Sequence, residues 1–366
     1  MSSSPRFHRY LDKAPLVVAF AWMGFAAPHA YAQAIPIPVT TVADTVAVDP
    51  ANSPLDAGTE ISLRSAIQFV NAQTGTTSYE VLLDSTLGGG VYTLSIAGAL
   101  EDAAATGDLD ITRAVPFAIR GTNGIATIDA EGIDRVFHIL ASGGSVTFQN
   151  LLIQDGRAAD SGSAGLDAYG GGIFQPNPGA LVLDQVSITN CLADGGTPTT
   201  AGLNGGNALG GGLYVSGGTL DIQNGSFVAG CQAVGGNGAN GTTSGIAGGD
   251  GGLAQGGGIW AFDTVVSVDG SGVENNRARG GQGGNGGTSA DGGNGGAAEG
   301  GGLFVDTGSV SIDGSSLSTN DVTGGNGGMG ASHYPALRMP ATAAKAGMPS
   351  AADFTPRSPS CWMAAA

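Results

Sequence analysis

From residue 170 onwards four Gly triplets recur along the chain, and each is followed by an aliphatic and then an aromatic residue. Successive triplets start 40, 46 and 44 residues apart. Self-similarity at this spacing is typical of a repeat architecture, in which each copy packs on its neighbours. The triplets and the pairs that follow them are residues 170–172 with Ile173-Phe174, 210–212 with Leu213-Tyr214, 256–258 with Ile259-Trp260, and 300–302 with Leu303-Phe304.

A segment of alternating apolar and polar residues follows each triplet, and a period of two indicates a β-strand with one buried face. Four residues after its polar end, a second apolar position recurs. One copy carries an extra residue, which we interpret as a bulge. The apolar pairs are Leu181/Leu183, Leu220/Ile222, Val266/Val268 and Val310/Ile312, with Val146/Phe148 as an earlier copy; the second apolar positions are Ile153, Ile188, Phe227, Val273 and Leu317.

No helical period occurs within the repeat, so its strands cannot pair through helical crossovers. Equivalent strands can instead stack on the next copy at about 4.8 Å. We therefore predict an all-β fold, a right-handed parallel β-helix over residues 113–330. Gly-rich insertions such as 235–252 and 280–302 vary in length and are predicted to be loops at one corner. Composition alone would favour disorder for these insertions, and we keep that alternative for the loop tips.

Composition limits the partners of the chain. Of 366 residues, 67 are Gly and 41% are hydrophobic, and the formal net charge is -17. Residues 33–330 contain no Lys. Nucleic-acid affinity depends on Lys and Arg releasing counterions from phosphates, and anionic lipid headgroups need the same cations. Neither nucleic acid nor direct lipid binding is expected.

The N-terminus has the features of a signal peptide. Arg6, Arg9 and Lys13 precede an apolar stretch at residues 14–27, and Ala30-Tyr31-Ala32 supplies the small residues of a cleavage site. The apolar stretch is shorter than the ~20 residues that span a bilayer. We predict a signal peptide over residues 1–32, and therefore a secreted or cell-surface protein.

A different sequence precedes the repeats. Residues 39–46 alternate like a strand, and Ser62 is a candidate N-cap for a helix in which Leu63, Ala66, Ile67 and Val70 share one face. A stack of repeats exposes an apolar cross-section at its end, which a terminal cap must cover. We predict that residues 33–112 form this capping region.

This N-terminal region resembles the CSLREA domain of bacterial surface β-helix proteins. Ser62, Leu63, Arg64 and Ala66 match the motif, whereas Ile61 and Ser65 differ from its Cys and Glu. Residues 107–111 and 127–129 are similar to the linking region of that family. The Gly-Gly-Gly-Ile/Leu segments resemble repeats of polymorphic outer-membrane and autotransporter passengers. Together these resemblances cover residues 39–330 and imply a surface-exposed adhesin-like β-helix of a Gram-negative bacterium, without a reaction.

After residue 330 the repeat pattern stops. Residues 331–366 contain five Pro, one Lys and two Arg, and no Gly triplet. Two interpretations stay open for this segment: a disordered tail, or a frame-disrupted end of a longer repeat array.

Catalysis and metal binding find little support in the sequence. The repeats lack the paired carboxylates and the strong base of polysaccharide hydrolases and lyases, and His138 lies in a strand-like segment where we expect a structural role. Residues 235–240 fit one half-turn of a calcium-binding nonapeptide, but a lone copy does not form a site. Asp184, Asp269 and Asp313 follow the strands and are expected to be solvated, with a weak Ca²⁺ site as the alternative. We predict no catalytic residue, no metal site and no cofactor.

Cys191 and Cys231 occupy equivalent positions in adjacent copies, where stacked Cα atoms lie within disulfide range. Export would also place them in an oxidising compartment. The next two copies have Asn276 and Asn320 there, so a small inward residue or an Asn ladder is the alternative to a disulfide.

The aromatic residues after the Gly triplets are predicted to stack as an external ladder that could face a ligand such as a sugar ring or a protein. They are Phe174, Tyr214, Trp260 and Phe304. The alternative is that the ladder stabilises the sheet beneath the Gly-rich loops.

The predicted function is that of an exported, non-catalytic surface or secreted protein with a structural or adhesin-like role and a host or matrix glycan or protein as partner. The alternative is a carbohydrate-active β-helix that binds or cleaves a polysaccharide.

Overall fold

The computed structural model describes residues 34–98, 101–159 and 165–330, together with two short strands near the C-terminus. The predicted signal peptide lies outside the described residues, as does most of the segment 331–366. The fold of the described part is all-β apart from one α-helix, α1 (Leu63–Ala72), and one 3-10 turn, Leu87–Gly89. No helix in that part of the chain is long and apolar enough to cross a membrane.

The strands before the first Gly triplet are β1 (Ile35–Pro38), β2 (Tyr79–Asp84), β3 (Val91–Thr93), β4 (Leu109–Ile111), β5 (Phe117–Thr122), β6 (Ala126–Asp129), β7 (Phe137–Ile139), β8 (Ser145–Gln154), β9 (Arg157–Ala159) and β10 (Ala168–Tyr169). The first repeat holds β11 (Ile173–Gln175), β12 (Gly179–Thr189), β13 (Leu192–Asp194) and β14 (Ala208–Leu209), and the second holds β15 (Leu213–Gln223), β16 (Phe227–Ala229), β17 (Gln232–Val234) and β18 (Ala254–Gln255). The third holds β19 (Ile259–Asp269), β20 (Gly272–Glu274), β21 (Arg277–Arg279) and β22 (Ala298–Glu299); the fourth holds β23 (Leu303–Val305), β24 (Gly308–Asp313), β25 (Ser316–Ser318) and β26 (Asp321–Thr323). The last two are β27 (Phe354–Pro356) and β28 (Met363–Ala365).

Each strand of a repeat pairs in parallel with the equivalent strand of the next repeat. Leu181 pairs with Leu220, Leu220 with Val266, and Val266 with Val310. All four side chains are buried, as are Leu183, Ile222 and Val268. The alternation of buried and exposed residues predicted for these strands is therefore confirmed. The strands form one 19-stranded, one five-stranded and one four-stranded sheet.

The chain changes direction at positions where the backbone is left-handed. In the long strand β12 this residue is Gln185, and the equivalent residue of β8 is Asn150. A left-handed residue here bends one continuous strand around a corner, and Asn and Gly adopt this conformation at the lowest cost. Later repeats use Asn224, Gly270 and Gly314 at the same corner.

One predicted position is wrong by one residue. The sequence pattern placed Phe227 opposite Ile188, but Val228 pairs with Ile188 and with Val273. Val228 is buried, whereas Phe227 is 40% exposed. The reason is that Asn224 and its following Gly are both left-handed, so the corner of this repeat holds the extra residue that we interpreted as a bulge.

Helix α1 begins at the predicted N-cap. Ser62 and Ser65 form a capping box, in which each side chain accepts a hydrogen bond from the backbone of the other. The predicted apolar face is confirmed, since all four of its residues join the hydrophobic core of the strands. That α1 covers the end of the repeat stack stays a prediction.

The predicted strand at residues 39–46 is wrong, because the strand of this region is β1, which ends at Pro38. Asp44 is instead held by side-chain interactions. Its carboxylate accepts hydrogen bonds from the Arg64 guanidinium at 2.6 Å and from the backbone of Ser95 and Ile96. These bonds take the segment out of the β-ladder.

Of the segment 331–366, the structure describes the backbone of β27 and β28. They pair in parallel with β23 and β24. The two interpretations of this segment stay open, because its other residues lie outside the described part.

Candidate functional site

A column of side chains runs along the repeats on the short strands that follow the Gly triplets. Phe174 pairs with Tyr214, Tyr214 with Trp260, and Trp260 with Phe304. The predicted aromatic ladder is thus brought together in register. The column continues towards the N-terminus through His138 and Asp110, the central residues of β7 and β4.

The rings of the column are in direct contact. The Tyr214 and Trp260 centroids are 4.4 Å apart with nearly parallel planes, and those of Phe174 and Tyr214 are 5.1 Å apart and edge-on. His138 stacks on Phe174 at 4.9 Å. Arg135 lies over the Phe174 ring at 5.2 Å, a cation–π distance. These contacts stabilise the column along the direction of repeat stacking.

Only part of the column is accessible. Phe304 is fully buried and Trp260 is 8% exposed, whereas Phe174 and Tyr214 are half-buried. The Trp260 indole N–H donates to Gln255 at 3.2 Å, and Tyr169 packs on Phe174 at 5.6 Å. A ligand can reach Phe174 and Tyr214 alone among the four aromatic residues, and their ligand-facing role stays a prediction.

The Gly-rich insertions form extended arms, defined here as residues 195–207, 235–253 and 280–297, with 324–330 as the start of a fourth. In each arm the chain runs outward, turns and returns. Backbone hydrogen bonds form both between arms and within them. Gly236 donates to Gly206, Gly281 to Gly252 and Gly325 to Gly296 of the preceding arm, whereas Gly252 donates to Gly236 and Gly296 to Gly281 of the same arm. The arms are therefore more ordered than the loops that the sequence predicted, because each supplies the backbone partners of the next.

A three-residue period explains the Gly-Gly-X pattern of the arms. Burial in the arms repeats every three residues, as in residues 281–287, so each residue of a triplet faces a different direction. A Cβ on Gly252 would overlap the carbonyl of Gly206, and one on Gly296 would overlap that of Gly252. Most side chains of the arms lie at the third position of the triplet, which faces solvent, while Pro198 and the methyl group of Ala239 lie at buried positions.

The side chains at the exposed third position connect successive arms. On the outgoing side the Asn237 side-chain oxygen accepts the Gln282 N–H at 2.8 Å, and that of Asn240 accepts the Asn285 N–H at 2.7 Å. On the returning side Asp250 accepts from the Asn294 N–H at 2.6 Å. Short oxygen-bearing side chains are therefore favoured here, because they satisfy backbone donors that no other arm reaches.

A groove of about 710 Å³ runs across the outgoing sides of the arms. None of the residues that line it is charged. Its lining contains hydroxyl, amide and apolar groups. The residues that supply them are Thr197, Pro198, Asn237, Asn240, Thr242, Gln282, Asn285 and Met329. Such a surface can form many neutral hydrogen bonds and offers no partner for an ionic ligand.

Cys191 and Cys231 lie at equivalent positions of adjacent repeats and are both buried thiols. The pKa of Cys191 is raised well above its usual range. The hydrogen bond with Cys231 is the larger cause, and burial of the thiol is the second. In the next repeat the Asn276 side-chain oxygen accepts the Cys231 N–H at 2.9 Å, and the Asn276 amide donates to the Asn320 side-chain oxygen at 3.1 Å. The Asn ladder is confirmed, and the disulfide stays a prediction.

A cluster of ionisable groups surrounds the N-terminal end of the column. Asp108 binds Arg135 at 2.8 Å, and burial raises the pKa of Asp108 to about 6 in spite of that guanidinium. His138 Nδ1 lies 3.3 Å from Asp110 Oδ1 and 3.7 Å from Asp102 Oδ1. Sequence reasoning missed this cluster, since Asp110 and His138 precede the repeats that begin at residue 170 and no repeat signature aligns them.

The chain was compared with known proteins. No protein-family profile, no curated protein and no solved structure matches it. The resemblance to the CSLREA domain and to outer-membrane passengers therefore stays a prediction that depends on the residues quoted for it.

Proposed function

We propose that this chain is an exported surface or secreted protein with a structural, adhesin-like role and no catalytic activity. Its repeats would form a right-handed parallel β-helix. Support comes from the parallel, in-register pairing of equivalent strands and from their connection through left-handed corners. A stack of this kind extends by adding repeats, so it suits a rigid stalk that displays a surface away from the cell.

The proposed binding site is the groove on the arms. Its amide and hydroxyl groups are spaced along the stack, one set per repeat, and its lining is uncharged. The side-chain oxygens of Asn237 and Asn240 already accept backbone N–H groups. Their amide nitrogens, without partners among the described residues, are free to donate to a ligand. We propose that the ligand is a neutral glycan, whose hydroxyls accept such hydrogen bonds.

The half-buried rings of Phe174 and Tyr214 are a second surface of the same chain. Aromatic faces stack on the apolar faces of sugar rings, which is the reason for naming the ladder as a ligand-facing candidate. Two of its four rings are buried, so the ladder offers a ligand Phe174 and Tyr214, whereas the groove spans successive arms. We assign the main contact to the groove.

A glycan array probed with the full-length protein tests the proposal. We expect binding to neutral oligosaccharides that changes little with salt, since no charge lines the groove. Gln282 lines the groove, and its side chain accepts no hydrogen bond from the described residues of the arms. Replacing it by Ala should weaken binding about tenfold. The matched control is Asn294→Ala on the returning side, outside the groove, which should bind as the native protein does.

Two results would overturn the proposal. Equal affinity of the Gln282→Ala and native proteins would remove the groove from recognition. Release of new reducing ends from a bound glycan would show that the protein is an enzyme and would favour the carbohydrate-active alternative.

A further inference from the structure

Two carboxylate oxygens and one imidazole nitrogen lie close together at the N-terminal end of the column. They are Asp102 Oδ1, Asp110 Oδ1 and His138 Nδ1, and one donor atom from each residue lies within 4.8 Å of the other two. Asp110 and His138 are paired in register on adjacent strands, β4 and β7. Asp102 comes from the preceding loop, and its side chain is 72% exposed. The cluster is open to solvent on the Asp102 side.

Asp110 is the unusual member of this cluster. Its side chain is fully buried, and Oδ2 accepts the Ala104 N–H at 2.7 Å. Its Oδ1 has no hydrogen-bond partner among the described residues and points to His138 Nδ1. A buried carboxylate oxygen without a donor is unfavourable, and a native protein normally satisfies it through protein, water or an ion.

Hydrogen bonds to its backbone fix the conformation of the loop that carries Asp102. The Glu101 carboxylate accepts backbone N–H groups from Ala103, Ala105 and Thr106. The buried Arg64 guanidinium donates to the carbonyl oxygens of Ala104 and to those of residues 107 and 108. Because the loop is fixed from both sides, the position of Asp102 does not depend on a ligand.

The neighbouring Arg side chains form ion pairs with carboxylates outside the cluster. Arg64 pairs with Asp44 and Arg135 with Asp108. No Arg or Lys of the described residues forms an ion pair with Asp102 or Asp110. Among the described residues, the two carboxylates therefore face the His138 imidazole without an Arg or Lys counter-charge.

We propose that Asp102, Asp110 and His138 bind a divalent transition-metal cation. A metal held about 2.0–2.2 Å from each donor places neighbouring donors roughly 3–4 Å apart, as the two measured separations require. Mixed carboxylate and imidazole donors favour Zn²⁺ or Mn²⁺ over Ca²⁺, which takes oxygen ligands. Three protein ligands leave at least one coordination position for water on the exposed side.

Metal binding would join the loop before β4 to the first strands of the column. The His138 ring stacks on Phe174, so its orientation is already set by the aromatic ladder. Binding at Nδ1 also fixes the proton on Nε2. The expected consequence is a more stable N-terminal end of the repeat stack, because an ion that binds only the folded state stabilises it.

Isothermal titration of the metal-stripped full-length protein with ZnCl₂ tests the site. We expect binding at this site to be lost in His138→Phe, which keeps the stacking because Phe is the natural residue of the next repeat at this position. Asp110→Asn should weaken it about 100-fold. The control is Asp129→Asn, a half-buried carboxylate on β6 that binds Gln154 and lies outside the cluster; it should bind Zn²⁺ as the native protein does.

Thermal unfolding gives a second measurement. Zn²⁺ should raise the melting temperature of the native protein and of Asp129→Asn, and should leave that of His138→Phe unchanged. The proposal is overturned if the native protein binds no Zn²⁺ and no Mn²⁺, or if His138→Phe binds them with native affinity. Neither outcome bears on glycan binding, which uses the groove on the arms and is measured without metal.

Discussion

Replacing Gly293 by Ala adds a single methyl group to a buried backbone position of the third arm. The new Cβ would overlap the carbonyl oxygen of Gly249 in the arm beside it. Overpacking costs about 1–3 kcal/mol. Separation of the second and third arms also weakens two backbone hydrogen bonds between them, from Gly284 to Gly249 and from Gly251 to Asn294, each contributing about 0.5–1.5 kcal/mol. We expect the substitution to reduce the free energy of unfolding by about 3 kcal/mol.

The opposite effect is expected if the arms are irregular loops. The backbone of Gly293 is not left-handed, so Ala can adopt its conformation. In a flexible loop, Gly→Ala then stabilises by about 0.4–1 kcal/mol, because it restricts the unfolded chain. The sign of the change therefore distinguishes packed arms from solvated loops.

Urea unfolding of the full-length protein measures this sign, and hydrogen exchange localises it. Residues 280–297 and 324–330 should lose protection in Gly293→Ala, while the strands keep theirs. The matched control is Asn294→Ala at the neighbouring exposed position, for which we expect a change within about 0.5 kcal/mol. A Gly293→Ala protein as stable as the native one would refute the packing of the arms.

Two further predictions concern the ionisable groups of the N-terminal region. Burial raises the pKa of Asp108 to about 6, so the folded state binds the proton of this carboxyl more tightly than the unfolded state does. The free energy of unfolding should therefore fall by up to about 3 kcal/mol as the pH rises from 4 to 6 and then level off. Urea titrations at several pH values should show a smaller pH dependence in Asp108→Asn. Arg64→Leu should destabilise by about 3–5 kcal/mol, because it leaves the Asp44 carboxylate buried without its partner. In the same unfolding assay Arg120→Leu, which breaks a partly exposed pair with Glu80, should cost less than about 1 kcal/mol.

The strands of the repeats were predictable because their alternation is local. Leu220 and Ile222 indicate a buried face within three residues, and the next repeat has Val266 and Val268 at the equivalent positions. The error at Phe227 shows the limit of this reasoning. Two consecutive left-handed residues shift the register by one, and no composition signal tells whether the corner or the strand holds the extra residue.

The arms and the metal cluster were not predictable in the same way. The Gly-Gly-X pattern is visible in the sequence, but its meaning depends on backbone partners some 40 residues away, such as Gly206 for Gly236. Asp110 and His138 meet through strand pairing in a region without repeats. The aromatic ladder was found because its members follow the triplets; its burial depends on residues outside that pattern, such as Gln255, which accepts the Trp260 indole N–H.

The three-residue period of the arms has a consequence for how this chain can change length over evolution. The arm of the first repeat closes with one cross-bond, Gly206 to Gly196, and the next arm adds a second, Gly249 to Ala239. Growth by one step therefore inserts a triplet on the way out and another on the way back. Inserting one residue inside an arm would turn a side chain towards a carbonyl of its neighbour. Selection should tolerate insertions in multiples of three residues, with other lengths confined to the tips.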